Sequence, residues 1–362
     1  MFAGKALKAG EPIWTEAPFV AIQHEDNKEF VDCCDNCFVP LIDSKGCWAR
    51  VVAGNSSEIA YAQHHALLCP HSEEREIAMG QFLNHTLVTN EIFQLAAKVV
   101  AKILLLFVAT QDMAQARQPV DIFCKLPWWE VITSEEDLKD GETLEEYRDK
   151  FRSLLMQTHD YFISGLTENL AYLETQKELN GLTADALLVS CNEVLSVDFF
   201  SRVVGMFEMN NISMEIDHPL HALSEALSEA SSEEKMDMPP VLARVKIALE
   251  KFTEEHNHQF DEEHDKYGEE ECTALDEDFV GVEGTALFSG ICTMNHSCDP
   301  NCTVLYTKDG AAHVFAVQDI AEGEELCISY IDVDQEVDGR EECLREYQFV
   351  CHCARCEEER KA

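Results

Sequence analysis

The chain has 362 residues, with 69 acidic and 27 basic side chains and a formal net charge of −42. A surface so anionic repels a polyanion, which excludes nucleic-acid binding through a basic face. Apolar residues make up 46% of the chain, enough to bury a sizeable core, so the length predicts two packed units or one domain with insertions.

Taken in chain order, residues 2–7 and 12–22 read as two strands joined by a turn at Gly10. No secretory signal is expected from Phe2-Ala3-Gly4-Lys5-Ala6, which has no apolar run of the needed length. A Cys-rich segment then runs to Cys69. Between 73 and 115 the pattern turns helical, with Ile92, Leu95, Ala96, Val99, Val100, Ile103 and Leu104 at three- and four-residue spacing. Its apolar stretch 95–109, interrupted by Lys98 and Lys102, reads as too short to cross a bilayer, so a soluble intracellular protein without a membrane partner is expected. A helix start is expected in the acidic patch 135–149, and amphipathic helices over 154–178 and 184–209. Residues 215–278 carry 20 acidic against 5 basic side chains and read as a solvated insertion with one helix near 241–252. Strand signals return at 311–317 and 325–330, separated by turn residues such as Gly323.

In a reducing compartment, clustered cysteines are read as metal ligands or free thiols before crosslinks. The 16 cysteines crowd at Cys33 to Cys69 and again at Cys292 to Cys356. The second crowd overlaps three motifs. Asn295-His296-Ser297-Cys298-Asp299-Pro300-Asn301 is followed by Gly323-Glu324-Glu325-Leu326-Cys327-Ile328-Ser329-Tyr330, and then by Tyr347-Gln348-Phe349-Val350-Cys351-His352-Cys353-Ala354-Arg355-Cys356. Their order and spacing resemble the SET domain of protein-lysine methyltransferases with its post-SET tail. The split layout is similar to the SET-and-MYND (SMYD) group, nearest the short branch that lacks a C-terminal helical repeat domain and includes plant trithorax-related members.

The resemblance implies an α+β fold: a β-rich SET domain with a knotted C-terminal segment, split by a Cys-rich degenerate MYND-like insert and a mainly helical middle. The implied boundaries are 1–30 and 279–336 for the SET parts, 31–72 for the MYND-like insert, 73–214 for the helical insert, 215–278 for the acidic insertion and 337–362 for the post-SET tail. It also implies S-adenosylmethionine-dependent methylation of lysines on basic proteins, histone tails or ribosomal proteins, in the nucleus and/or cytoplasm. A catalytically silent SET-like interaction adaptor is the alternative.

Methyl transfer needs a neutral amine aligned with a sulfonium methyl, and a narrow aromatic channel serves both needs by excluding water and facing the moving positive charge. By resemblance, Tyr330 is the catalytic tyrosine and Tyr347 lines the channel. Asn295 and His296 hold the cofactor, and Phe349 covers its adenine ring. Cys351, Cys353 and Cys356 supply three thiolates of a zinc site, with Cys298 implied as the fourth. Cys292, Cys302, Cys327 and Cys343 lack this spacing and read as ordinary buried thiols.

Two features depart from the family. Its Gly-x-Gly loop is not found before the first strands, so either it is expected immediately upstream of Met1 or weak or absent cofactor binding is expected. The MYND pattern of seven Cys and one His is reduced to Cys34-x-x-Cys37 and His65-x-x-x-Cys69 with Cys47 between, so either one improvised zinc site from Cys34, Cys37, His65 and Cys69 or a metal-free loop is expected. Gly205 to Asn211, with Phe207 and Asn210, only loosely matches a further cofactor-side segment.

Overall fold

A computed structural model describes residues 1–31, 33–38, 55–69, 76–139, 141–217, 281–307, 310–345, 347 and 349–361. The expected helix near 241–252 and Cys47 lie outside the described residues. The chain divides into one unit of Met1–Ile216 with Glu283–Ala362, and a second of Asp217–Val282. All three motifs belong to the first unit.

Strand β1 (Pro12–Glu16) and strand β2 (Val20–Gln23) replace the single expected strand over 12–22. Pro18 has no N–H to give a ladder, so the chain breaks there and the halves enter different sheets. The turn at Gly10 is present at φ 82°, a value that suits glycine. Residues 2–7 do not form the expected strand. A bend at Gly4-Lys5 leaves two isolated bridges, Phe2 with Glu325 and Leu7 with Ile320.

Helix α1 (Asn55–Ala60) runs through a π-helical turn (Tyr61–His65) into α2 (Ala66–Leu68), and then come α3 (Glu76–Leu87), α4 (Ile92–Thr110), α5 (Met113–Asp121) and α6 (Trp128–Val131). The expected helical stretch 73–115 is thus divided, because Gln111 adopts the left-handed conformation at φ 54° and Asp112 caps the next helix. Helix α7 (Leu144–Gln176) starts ten residues before the expected 154. Thr143 and Glu146 form a reciprocal capping box there, inside the acidic patch. The expected helix over 184–209 is two, α8 (Ala184–Ser190) and α9 (Val197–Asn210), because the Ser196 hydroxyl accepts the Phe199 N–H and restarts the helix.

Helix α4 has the length and apolarity to cross a membrane, longer than the stretch its sequence suggests, but it is a core helix. Leu95, Ala96, Val99, Val100, Ile103 and Leu104 are all buried. Phe82, Phe162 and Phe200, from α3, α7 and α9, stack beside it at 5.3 and 5.5 Å. Gly165 lets α7 touch α3, since a Cβ there would lie 2.7 Å from the Met79 Cα.

The remaining strands are β3 (Ile212–Ile216), β4 (Val282–Leu287), β5 (Asn295–His296), β6 (Cys302–Tyr306), β7 (Ala312–Ala316) and β8 (Cys327–Ile328), followed by α10 (Val337–Arg345) and α11 (Ala354–Glu359). They build two three-stranded sheets, β1-β7-β6 and β2-β4-β3, and a short parallel pair, β5-β8. Each three-stranded sheet therefore joins an N-terminal strand to strands that follow the helical middle.

Lys98, on the apolar face of α4, pins the Cys-rich insert to this frame. Its ammonium donates to the Ala21 carbonyl at 2.9 Å and to Asp35 at 2.6 Å, and His64 approaches the other Asp35 oxygen at 3.0 Å. Burial alone would raise the Asp35 carboxyl, but Lys98 and His64 outweigh it and hold it below the usual carboxylate range. The stability it contributes is present above about pH 4 and is lost as pH falls through the depressed folded value. Lys98→Met removes the cation and leaves the carboxylate shielded, so urea unfolding is expected to show a loss of about 3 kcal/mol. A loss below about 1 kcal/mol would show that the pair contributes little.

Candidate active site

The short turn Ile291–Thr293 opens the site. Its first free N–H groups, on Gly290 and Ile291, donate to the two Glu16 carboxylate oxygens at 2.8 and 3.1 Å. A carboxylate at this end of a helical turn satisfies donors that have no other partner. The chain leaves the turn as β5, whose Asn295 and His296 pair in parallel with Cys327 and Ile328 of β8. Asn301 then locks the two segments. Its amide donates to the Glu325 carbonyl at 2.7 Å and accepts the Cys327 N–H at 2.9 Å. This side-chain amide takes backbone partners that a ladder would use, which is why the expected strand over 325–330 contracts to two residues.

Four rings meet beside this lock. Tyr330 lies 5.3 Å from His296, 5.2 Å from Tyr347 and 6.4 Å from Phe349, while His296 and Phe349 are 5.8 Å apart. The Tyr330 hydroxyl donates to the Met294 carbonyl, and the Tyr347 hydroxyl donates to the Tyr330 carbonyl at 3.4 Å. Burial first, then the neighbouring Cys292, Cys327 and Tyr347, pushes the Tyr330 phenol up to about 12, so it is neutral at physiological pH. Asn295 is exposed and donates to Glu325 at 2.7 Å, and Phe349 is 36% exposed. An open amide and an open ring face thus border one cluster.

His296 connects the rings to sulfur. Its Nδ1 accepts the Tyr330 N–H at 3.0 Å, and its Nε2 is 3.2 Å from Cys298 Sγ. A backbone N–H can only donate, so the ring proton sits on Nε2 and points at the sulfur. Burial, aided by Arg340, brings the imidazole down to about 4 and keeps it neutral.

Cys298, Cys351, Cys353 and Cys356 bring their sulfurs within 4.8 Å of one another, so the set can hold a metal ion. Four thiolates around zinc, at about 2.3 Å each, would sit about 3.8 Å apart, and the donors suit that ion with slight contraction. Cys353 immediately precedes α11. Burial would raise its thiol, but the Cys356 backbone N–H and the Cys351 sulfur outweigh this and bring it down to about 7. Cys298 is pushed up to about 12 by burial and by Cys356.

The model of the SET domain matches residues 1–331. The chain belongs to the SET-domain family. A protein named histone-lysine N-methyltransferase ATXR2, from Arabidopsis thaliana, is 28% identical over 344 residues, covering 88% of this chain and 63% of that protein. Human N-lysine methyltransferase SMYD2 is 46% identical over 74 residues, 20% of this chain and 17% of its own. Zebrafish (Danio rerio) protein-lysine N-trimethyltransferase SMYD5 is 40% identical over 84 residues, 22% and 20% respectively. The chain therefore spans less than two thirds of the length of these relatives.

Of the residues singled out in the sequence, His296, Tyr347 and Phe349 surround Tyr330, Asn295 precedes His296 on β5, and the three tail cysteines gather with Cys298. In the Cys-rich insert, the Asp35–His64 contact sets the segment carrying Cys34 and Cys37 against the π-helical turn carrying His65, and Cys69 follows that helix; among the described residues only the Cys298 set gathers as possible metal ligands, so these four are not brought together as one. Cys34 and Cys69 are buried there. Asn210 of the loosely matching segment donates to the Met206 and Cys124 carbonyls. Cys302 is buried, whereas Cys292, Cys327 and Cys343 are partly exposed.

Three functional neighbours of the SET site escape sequence reasoning. Asn301 ends a recognised motif, and that position was its only signal. Glu16 sits in an ordinary strand. Arg340 is a lone base among acids, and its side chain is wholly buried beside the cysteines.

Proposed function

We propose that this SET domain transfers methyl groups from S-adenosylmethionine to lysines of basic proteins, with histone tails or ribosomal proteins as the substrate class. The observation that carries this reading is the packing of Tyr330 between His296, Tyr347 and Phe349, with its hydroxyl turned to the Met294 carbonyl. The relatives' names, all of methyltransferases, support it over the silent adaptor.

The cofactor would be held by Asn295, His296 and Phe349, and when bound it supplies an electrophilic methyl on a positively charged sulfur. The chain's own residues do the rest. Tyr330 and Tyr347 exclude water from an entering lysine, which disfavours its ammonium form and leaves the amine lone pair free. Tyr330, neutral and already donating its proton to Met294, presents oxygen lone pairs and a π face to positive charge and does not act as a base. Zn2+ would sit among Cys298, Cys351, Cys353 and Cys356. Cys34, Cys37, His65 and Cys69 form either a second set or a metal-free loop, and metal analysis distinguishes two zinc ions per chain from one.

In this reading residues 1–30 and 279–336 form the SET parts, 31–72 the MYND-like insert, 73–214 the helical insert, 215–278 the acidic insertion and 337–362 the post-SET tail. The protein acts in the nucleus and/or cytoplasm. The −42 charge supports steering of Lys/Arg-rich segments, which weakens as salt rises. The full chain, zinc-replete, is expected to label histones or a basic protein extract from radiolabelled cofactor, and S-adenosylhomocysteine to bind in calorimetry. No labelling of any basic substrate together with no detectable S-adenosylhomocysteine binding would leave the adaptor reading in its place.

A further inference from the structure

The four cysteines are backed by a cation that their own chemistry does not explain. Arg340 of α10 is 0% exposed, in a chain with a large excess of acid. Its Nη1 donates to the Gln335 carbonyl at 2.6 Å, and its Nη2 donates to Glu359 at 2.6 Å and to Cys356 Sγ at 3.5 Å. The Cys298 sulfur, from the distant Asn-His loop, lies within 4.8 Å of that Cys356 sulfur. The Arg340 Nε is buried with no partner at all. A buried cation with an unsatisfied donor is costly unless negative charge lies close by.

Glu359 alone does not account for this placement. That carboxylate is a third exposed and already accepts Arg355 at 2.8 Å. Arg355 also donates to the Cys298 carbonyl at 3.2 Å, and Arg360 to the Cys351 carbonyl at 2.6 Å. Three arginines thus converge on one cluster of thiols. Four thiolates around a divalent ion carry a net charge of about −2, and the low-dielectric interior magnifies the cost of leaving that charge alone.

We infer that Arg340 is the counter-cation of the metal-loaded four-thiolate site, holding Zn2+ by offsetting the dianion through Cys356. It is a positioning residue, since it touches sulfur and not the reacting atoms. The inference rests on the proposed zinc site and assigns a retention role to a residue outside its ligand set. Glu359 competes for the guanidinium, so it opposes Arg340 in this role.

The test is Zn2+ affinity of the full chain by chelator competition at fixed pH and salt, with circular dichroism to report folding. Arg340→Gln is expected to weaken Zn2+ binding roughly 10- to 100-fold, the usual effect of removing a partner behind the ligands. Arg340→Lys keeps the charge and recovers a substantial part. Glu359→Gln leaves affinity unchanged or raised, because the whole charge then faces the sulfurs. Equal loss in Arg340→Lys and Arg340→Gln, or a loss in Glu359→Gln matching that in Arg340→Gln, makes the pair a structural brace and overturns the inference. Where Arg340→Gln does not fold, these two conservative variants are read against the parent: Arg340→Lys within a few-fold and Glu359→Gln without loss support the inference, and a loss of about tenfold or more in either overturns it. Tight zinc in both parent and Arg340→Gln defeats this inference alone, whereas a parent without stoichiometric zinc defeats the metal site and this inference together.

Discussion

Tyr330→Phe is expected to lower kcat/KM for lysine methylation by at least about 100-fold, the scale seen when one preorganised polar group is removed from a reacting centre. The binding constant for S-adenosylhomocysteine should stay within a few-fold, because Asn295, His296 and Phe349 are untouched. The ring also remains, so the packing at 5.2 Å against Tyr347 and 5.3 Å against His296 is retained. The lost hydroxyl frees the Met294 carbonyl, and a modest destabilisation of about 1–2 kcal/mol is expected in denaturant melts. With the phenol pushed up to about 12, the parent's rate should rise with pH from 7 to 10 as the substrate lysine loses its proton, and Tyr330 should add no inflection there. A variant within threefold of the parent would remove Tyr330 from the chemistry.

Metal removal has the second large effect. Chelation at neutral pH is expected to abolish methylation and loosen the tail in one step, because Cys298 belongs to the Asn-His loop while the other three sulfurs belong to the tail. Apparent binding free energies of structural zinc run to about 10–16 kcal/mol, so the melting temperature should fall steeply. Without metal, burial raises the thiols of Cys298 and Cys351 above their ordinary value. Zinc uptake must displace those protons, so affinity falls as pH falls, up to about tenfold per unit for each proton displaced. A zinc titration in weak buffer should therefore acidify the solution by at least two protons per ion. Retained activity and an unchanged melt in verified metal-free protein would make the cluster dispensable.

The legible parts of the site are those where chemistry demands fixed residue types at fixed spacing. Asn295-His296 and Cys351-His352-Cys353 could be read because several constraints fall on consecutive residues. Helix α4 was legible in its three- and four-residue spacing, and the Thr143–Glu146 capping box explains why α7 begins inside the acidic patch. Strands were harder to read. Pro18 divides one apparent strand between two sheets, and the Asn301 amide takes the backbone partners that would have lengthened β8. Glu16 and Arg340 left no pattern, since a single charge acquires its role only from whatever folds against it.

The Glu16 contact carries a consequence for how the protein is made. Its carboxylate caps backbone groups 274 and 275 residues further along, so the ribosome finishes one side of the site long before the other exists. At about 5–20 residues per second, the nascent chain waits on the order of tens of seconds with β1 and β2 unpaired. Helices of the middle segment are all synthesised before β4, and α4 reaches β2 and its entry through Lys98 and Lys102, which donate to the Ala21 and Phe19 carbonyls. The apolar α4 that forms the core is thus made, together with its lysine contacts to the early strand, before the β4 that pairs with that strand exists.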